Sequence, residues 1–261
     1  MFGFDISNFE SLLLGLIRTG TAMMLMPVFG YSTIPAHIKI SLALIIALVV
    51  TPIASQHVSP LPPGVLPVAA AAISEVMVGL LFGLVTILML AGASLAGTVI
   101  GTQMGFGIAN TIDPTMGGQA SLVGQIQYMV ALIVMILLDV HHRLIEALVH
   151  SFRIIPLGGA VFPPEMALGY GRLSAEVLVI GVKIAAPVMA MLLMTQVALG
   201  FVSRVMPRMN VFIVGFPLKI GVGLLGLAIS WPLFIYVISK SFNYFIDGLI
   251  TMVSMAAGVQ P

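Results

Sequence analysis

Apolar residues follow one another along this chain in long runs that polar positions rarely interrupt. Runs of this length and composition predict helices that lie in a membrane or in a protein interior. The predicted segments cover residues 11–29, 40–54, 66–100, 122–138, 173–205 and 211–245. The last two segments, joined by a turn at residues 204–210, have the pattern of a helical hairpin.

Two of these segments do not fit the thickness of a bilayer. A spanning helix needs about 20 apolar residues, and segment 40–54 is shorter than this. Segment 66–100 would be about 50 Å long as a single helix, whereas the hydrocarbon core is about 30 Å thick. We therefore expect the long segment to bend, to tilt strongly or to consist of two helices. The lysines and arginines also assign no consistent topology to six spans, which suggests that some segments pack against other apolar proteins.

Composition supports a membrane location. Of the 261 residues, 60% are hydrophobic and 7% are charged, and the mean hydropathy is +1.18. A soluble domain carries about 25% charged residues, so this chain could not cover a surface that faces water. The net charge of +1 excludes the basic footprint of a nucleic-acid-binding protein. The absence of cysteine excludes a disulfide framework. The fold class is therefore an all-α, polytopic helical membrane protein in contact with membrane lipids.

Glycines at helical spacing predict close packing of helices. Gly79 and Gly83 form one GxxxG pair, and Gly97 and Gly101 form a second pair that is followed by Gly105. Glycines four residues apart lie on one face of a helix, where bare backbone lets another helix approach closely. We expect the second set to seat its helix against a partner.

The helical pattern fails after Gly105. Asp113-Pro114 and Gly117-Gly118 are turn signals, and the loop between is apolar and flanked by Met104 and Met116. A loop of this composition is poorly suited to open water. It is either an ordinary buried connection or non-helical backbone that lines or blocks a passage at membrane depth. The residues alone leave both interpretations open.

Four of the charged residues inside the apolar segments are Arg18, Glu75, Lys183 and Lys219. Arg18 and Glu75 each need a partner there, so we expect them to neutralise one another. A structural ion pair is favoured over transport chemistry. Lys183 and Lys219, like Arg18, need protein or water around them, and we expect all four charges to be buried.

A stretch at residues 139–150 is amphipathic, which predicts a helix at or beyond the membrane interface. Its polar face carries Asp139, His142, Arg143, Glu146 and His150. His142 and Glu146 are four residues apart and could hold a metal ion. Because no third ligand is evident, a solvated polar face is the favoured interpretation.

Enzymatic motifs are missing from the sequence. It contains no GxSxG elbow, no HExxH, no phosphate-binding loop and no dinucleotide fingerprint. Glu75 and Asp113 each lack a second acidic residue nearby in sequence, so no pair of carboxylates for hydrolysis is evident. We therefore expect no catalysis, no metal and no cofactor.

Five stretches stand in a characteristic order along the chain: Arg18 with Pro27-Val-Phe-Gly30, Ile34-Pro35 and Lys39; Glu75-Val-Met-Val-Gly79-Leu-Leu-Phe-Gly83; Gly101-Thr-Gln-Met-Gly-Phe106 with Asp113-Pro114; His142 with Ser151-Phe152 and Pro156; and Pro207-Arg-Met-Asn210 with Pro217-Leu-Lys219. In this order and at this length, the chain resembles the FliR family of type III secretion export-gate subunits over nearly all of its residues. The C-terminal hairpin, with Lys183-Ile-Ala-Ala-Pro187 and Trp231-Pro232, also looks like the small export protein FliQ.

The resemblance implies a FliP-like front part at residues 1–170 and a FliQ-like hairpin at residues 171–261. It implies long broken helices packed in a hetero-oligomeric export gate with FliP-like and FliQ-like subunits, and with FlhB and FlhA nearby. It also implies passage of unfolded flagellar proteins through the inner membrane at the basal body of the bacterial flagellum. The family places a pore plug near residues 104–118, at Met104, Gly105, Phe106, Gly107, Ile108, Ala109, Asn110, Ile112, Asp113, Pro114, Met116, Gly117 and Gly118.

A different class of protein remains as an alternative. A small-molecule or ion carrier also uses helices broken by glycine and proline, and it also places isolated charges in the membrane. Two matching halves would favour the carrier, and the halves of this chain look unlike each other.

Overall fold

The computed structural model describes residues 6–30, 34–54, 64–106, 121–206 and 210–258. Within these ranges every regular element is a helix, which confirms the all-α prediction. In chain order the helices are α1 (Ile6–Leu25), α2 (Pro27–Gly30), α3 (Ala36–Ala54), α4 (Val65–Met104), α5 (Leu122–Leu137), α6 (Val140–Ile154), α7 (Pro164–Val205) and α8 (Val211–Ala256).

Among the residues that the structure describes, three helices are long and apolar enough to cross a membrane, namely Val65–Met104, Pro164–Val205 and Ile213–Ala256. The pair α5 and α6 would make a fourth span if the two helices are counted together. These lengths confirm a polytopic membrane protein. The overlong predicted segment 66–100 is one unbroken helix of 40 residues, so the option of two helices is wrong.

The structure also corrects two predicted boundaries. Helix α3 begins at Ala36 and has 19 residues, because His37 and Lys39 lie in its first turn and do not interrupt it. Helix α7 begins at Pro164, nine residues before the predicted segment that starts at residue 173. At the first position of a helix the backbone N–H has no intrahelical partner, so proline, which lacks this N–H, costs nothing there. The φ of proline is already helical, which favours this start.

Asp139 separates α5 from α6. Its backbone is left-handed, with φ 54° and ψ 24°, a conformation that is uncommon for a residue other than glycine. Helix α6 then buries Leu144, Leu148 and Phe152 and exposes its charged residues. The predicted amphipathic stretch is thus a separate helix with its apolar side packed on protein.

The chain forms two compact units, each made from separated stretches. The first comprises Met1–Met89, Asp139–Leu173 and Asn243–Pro261. In it, α1 packs on α3 and α3 packs on α6. The Val161 N–H donates to the Ala256 carbonyl at 2.9 Å, which joins the connection between α6 and α7 to the C-terminal end of α8.

The second unit comprises Leu90–Leu138 and Ser174–Phe242. Here the C-terminal part of α4 packs against α7 through two glycines. Gly92 faces the Ile180 side chain, and Gly181 faces the Leu95 side chain. These units describe compactness in space, whereas the division at residues 1–170 and 171–261 concerns sequence origin and stays a prediction.

Candidate functional site

Arg18 and Glu75 form a buried ion pair in the first unit. Arg18 Nε lies 2.5 Å from Glu75 Oε2, Arg18 Nη2 lies 3.0 Å from Glu75 Oε1, and both side chains are fully buried. Two parallel N–H to carboxylate bonds are the strongest geometry for this pair. The structure therefore brings together the two charges that sequence reasoning expected to meet.

Further contacts complete the network around this pair. Arg18 Nη1 donates to the carbonyls of Ser151 and Ile155 at 3.2 and 3.4 Å, and Glu75 Oε1 accepts the Gly158 N–H at 2.7 Å. The guanidinium also lies 4.4 Å from the centroid of the Phe152 ring. The network joins α1, α4, α6 and the connection after α6. Its arrangement suits a structural crosslink, because both charged groups are satisfied by fixed partners.

The other two expected buried charges differ from this pair. The Lys183 side chain is 58% exposed and its Nζ lies 3.7 Å from Glu176 Oε1. The prediction of burial is wrong for Lys183 within this chain, because the face of α7 that packs carries Gly181 and Ile184 instead. Lys219 is half-buried and lines a cavity in the second unit.

Gly79 and Gly83 both lie against α1. A Cβ on Gly79 would lie 2.9 Å from the Arg18 carbonyl oxygen and 2.6 Å from Thr21 Cβ. A Cβ on Gly83 would overlap the Leu25 side chain. This close approach holds Glu75, one turn earlier on α4, beside Arg18.

Gly97 and Gly101 also pack closely, but their neighbours lie within this chain. A Cβ on Gly97 would lie 2.6 Å from Gly124 Cα and 2.6 Å from the Val123 carbonyl oxygen, and one on Gly101 would overlap Ser121 Oγ. Ser121 and the start of α5 are the far side of the predicted loop. The two glycines therefore clamp the ends of that loop together.

Helix α4 ends in a glycine-dependent cap. Gly105 has φ 101°, its N–H donates to the Thr102 carbonyl at 3.1 Å, and the Phe106 N–H donates to the Gly101 carbonyl at 3.0 Å. This pair of bonds is the Schellman arrangement, which uses glycine because its backbone can turn left-handed. Gly105 was expected to continue the packing face, and it instead stops the helix.

The predicted plug falls mostly outside the described residues. Met104, Gly105 and Phe106 are described, and Met104 is fully buried. The remaining predicted members lie outside the described ranges: Gly107, Ile108, Ala109, Asn110, Ile112, Asp113, Pro114, Met116, Gly117 and Gly118.

Met104, Gly105 and Phe106 form the base of the predicted plug. Two residues of α8, which were not selected from the sequence, contact this base. A Cβ on Gly223 would lie 2.6 Å from Met104 Cγ, and the ring of Phe216 lies against Gly105. Both α8 residues stand in a helix with several glycines, so spacing alone did not distinguish them. The sequence offered one partial signal, the long side chain of Met104, which needs a small residue opposite it wherever it packs against a helix.

A group of possible metal ligands lies at the N-terminal end of α6. Asp139, His141 and His142 have ligand atoms that all lie within 4.8 Å of one another. His142 Nδ1 lies 3.0 Å from Asp139 Oδ1, and both side chains are well exposed. This group includes His141, which sequence reasoning overlooked, and it does not include Glu146. An exposed pairing of this kind needs no ion to explain it.

Comparison with known proteins identifies the family. The family described as "Bacterial export proteins, family 1" matches residues 9–245. The chain is 32% identical over 257 residues to the flagellar biosynthetic protein FliR of Bacillus subtilis (strain 168), covering 96% of this chain and 97% of the relative. It is 35% identical to FliR of Caulobacter vibrioides, over 82% and 85% of the two chains, and 27% identical to FliR of Escherichia coli (strain K12), over 89% and 90%. The chain therefore belongs to family 1 of the bacterial export proteins, the family of the FliR proteins to which it is similar.

Proposed function

We propose that this chain is a subunit of the flagellar type III protein export gate in the bacterial inner membrane. In this role it helps to form and to seal the pore through which unfolded flagellar proteins leave the cell. The segment at residues 104–118 is the seal. The observation that carries this proposal is the close contact between α4 and α5 on either side of this segment.

Contacts between the end of α4 and the start of α5 hold both ends of the segment in one place. Gly97 and Gly101 of α4 press on Gly124 and Ser121, so the two helices approach to backbone contact. The apolar segment between them therefore starts and ends on a fixed support. A plug needs this combination, because it must return to one position to exclude ions and still rearrange when a polypeptide passes.

The surface of the chain supports assembly with partners. Of the most apolar 18-residue stretch of α8, 17% is buried inside the chain, whereas 56% of the corresponding stretch of α4 is buried. Much apolar surface is thus left for lipid or for other subunits. We propose FliP-like and FliQ-like chains as the neighbours in the gate, with FlhB and FlhA beside them.

The carrier alternative loses its main support. It depended on isolated charges that would bind a substrate or an ion. Arg18 and Glu75 instead satisfy one another, and Lys183 lies near Glu176 at the surface. A gate subunit without catalytic chemistry fits these contacts better than a carrier with a central charged site.

Deletion of residues 105–115 tests the sealing role. We expect the gate to assemble with normal yield and the cells to become permeable to small ions and solutes, because the obstruction is removed. The measurement is solute influx in cells that produce the deletion protein, compared with cells that produce the unaltered chain at equal gate yield. Unchanged permeability at normal gate yield would count against the plug.

A further inference from the structure

We infer that Gly223 and Phe216 of α8 form a latch on the base of the plug segment, and that this latch must release before the gate opens. The inference rests on the proposed function. The latch comprises two contacts, Met104 with Gly223 and Gly105 with Phe216. All four residues belong to the second unit.

The first contact places a methionine in a glycine notch. Met104 is fully buried, and a Cβ on Gly223 would lie 2.6, 2.7 and 2.8 Å from its Cγ, Sδ and Cε atoms. The whole outer part of the methionine thus occupies the volume that any side chain at position 223 would need. Methionine is flexible and polarizable, so it can fill such a notch closely and still leave it.

The second contact covers the helix cap. A Cβ on Gly105 would lie 2.6 and 2.8 Å from the ring atoms Cε1 and Cδ1 of Phe216. The Phe216 ring therefore lies directly over the residue at which the chain leaves α4. Together the two contacts fix the direction in which the plug segment starts.

The latch is the contact most able to release. Gly97 and Gly124 meet backbone to backbone, so separating them requires α4 and α5 to move apart as whole helices. The latch contacts are made by the ends of two side chains. A change of rotamer at Met104 or Phe216 releases them without loss of a helical hydrogen bond.

Space for this movement exists beside the latch. A cavity of about 380 Å³ is lined by Gly105, Phe216 and Lys219. Gly200 and Gly215 also line it, and neither has a side chain that would fill it. In the release that we propose, the Phe216 ring moves into this cavity and uncovers Gly105, while α4 and α8 stay helical.

Substitution at Gly223 tests the latch against a matched control two residues away. A Cβ at Gly221 would meet nothing within 4 Å, whereas one at Gly223 meets Met104. We expect Gly223→Leu to displace Met104 and to raise ion influx several-fold towards that of the 105–115 deletion. Gly221→Leu should leave influx unchanged. Equal influx in the two variants at equal gate yield would overturn the latch.

A size exchange separates a direct contact from general damage. In the double variant Met104→Ala with Gly223→Leu, the leucine refills the notch that the methionine vacates. We expect influx to fall below that of either single variant. A double variant that leaks as much as the worse single variant would contradict direct contact.

A reversible crosslink tests whether release is needed and does not depend on a damaging substitution. The chain has no cysteine, so Met104→Cys with Gly223→Cys introduces the only possible disulfide within it. The Met104 Cγ position lies 2.6 Å from the position of a Cβ at 223, which is within the reach of a disulfide. We expect oxidation to lower the export rate many-fold and a reductant to restore it. The control variant, Met104→Cys with Gly221→Cys, should export at the same rate in both conditions.

Export that continues at an undiminished rate in the fully crosslinked protein would overturn the latch. The failure of the latch is distinguishable from failure of the proposed function. If the 105–115 deletion leaks and the latch variants behave like the unaltered chain, the plug stands and the latch falls. If the deletion itself does not leak, the sealing role falls.

Discussion

At the scale of single residues, the main question is how a membrane protein retains an arginine and a glutamate with no exposed surface. Arg18 and Glu75 meet through two hydrogen bonds, and Gly158, Ser151 and Ile155 satisfy the remaining polar positions. Each charge therefore makes the other tolerable in an apolar setting. Lys183 differs from this pair, because its side chain is exposed in this chain and its Nζ lies 3.7 Å from Glu176 Oε1.

Removing one partner of this pair should be worse than removing both. We expect Glu75→Leu to destabilise the chain by about 3–5 kcal/mol, because it leaves the Arg18 charge buried without a counter-charge. Adding Arg18→Met should recover part of that loss, although Gly158 and Ile155 still lack their partners. Thermal unfolding in detergent measures both changes. A double variant less stable than Glu75→Leu alone would show that the ion pair is not the cause.

At the scale of elements, glycine decides where helices approach. The GxxxG spacing was enough to predict that Gly79, Gly83, Gly97 and Gly101 are packing residues. It could not tell which helix each would meet, since a spacing describes one face and carries no information about the neighbour. Gly97 was expected to meet another subunit, and it meets Gly124 of the same chain.

Other features were hidden from sequence for related reasons. The pattern predicted that Arg18 and Glu75 would meet, because each had few acceptable alternatives in an apolar segment. The Met104–Gly223 contact had many alternatives, since any glycine on a neighbouring helix could receive a methionine. The pattern also left open whether residues 66–100 form one bent or tilted helix or two helices, because a single helix of that length exceeds the thickness of a bilayer.

The α4–α5 clamp gives a prediction with a matched control. We expect Gly97→Ala to lower the yield of folded protein, because the new Cβ would lie 2.6 Å from the Gly124 backbone, which cannot move aside without separating the helices. Gly200→Ala places a Cβ where nothing lies within 4 Å, and alanine favours helix by about 1 kcal/mol over glycine. Size-exclusion yield of the two purified variants compares them. Equal yields would mean that the clamp tolerates a methyl group.

At the scale of the whole molecule, the chain leaves much of its apolar surface uncovered by itself. The most apolar window of α7 is 33% buried inside the chain and that of α8 is 17% buried. A carrier that acts alone would cover its surface with lipid, whereas a gate subunit would cover much of it with other subunits. The second arrangement is the one that we propose for this chain.

Purification separates these two arrangements. We expect the chain, produced with its FliP-like and FliQ-like neighbours, to be recovered in one complex with them, because the exposed faces of α7 and α8 are then covered. The measurement is the subunit content of the complex after mild detergent extraction. Recovery of this chain alone, as a stable symmetric oligomer, would favour the carrier.

The central claim is that the segment between α4 and α5 seals the pore of an assembled gate. The most direct measurement is the ionic conductance of the purified gate in a planar bilayer, with the unaltered chain and with residues 105–115 deleted. We expect no conductance from the complex with the unaltered chain and a steady ionic current from the complex with the deletion. Equal, near-zero conductance of both complexes would show that this segment is not the seal.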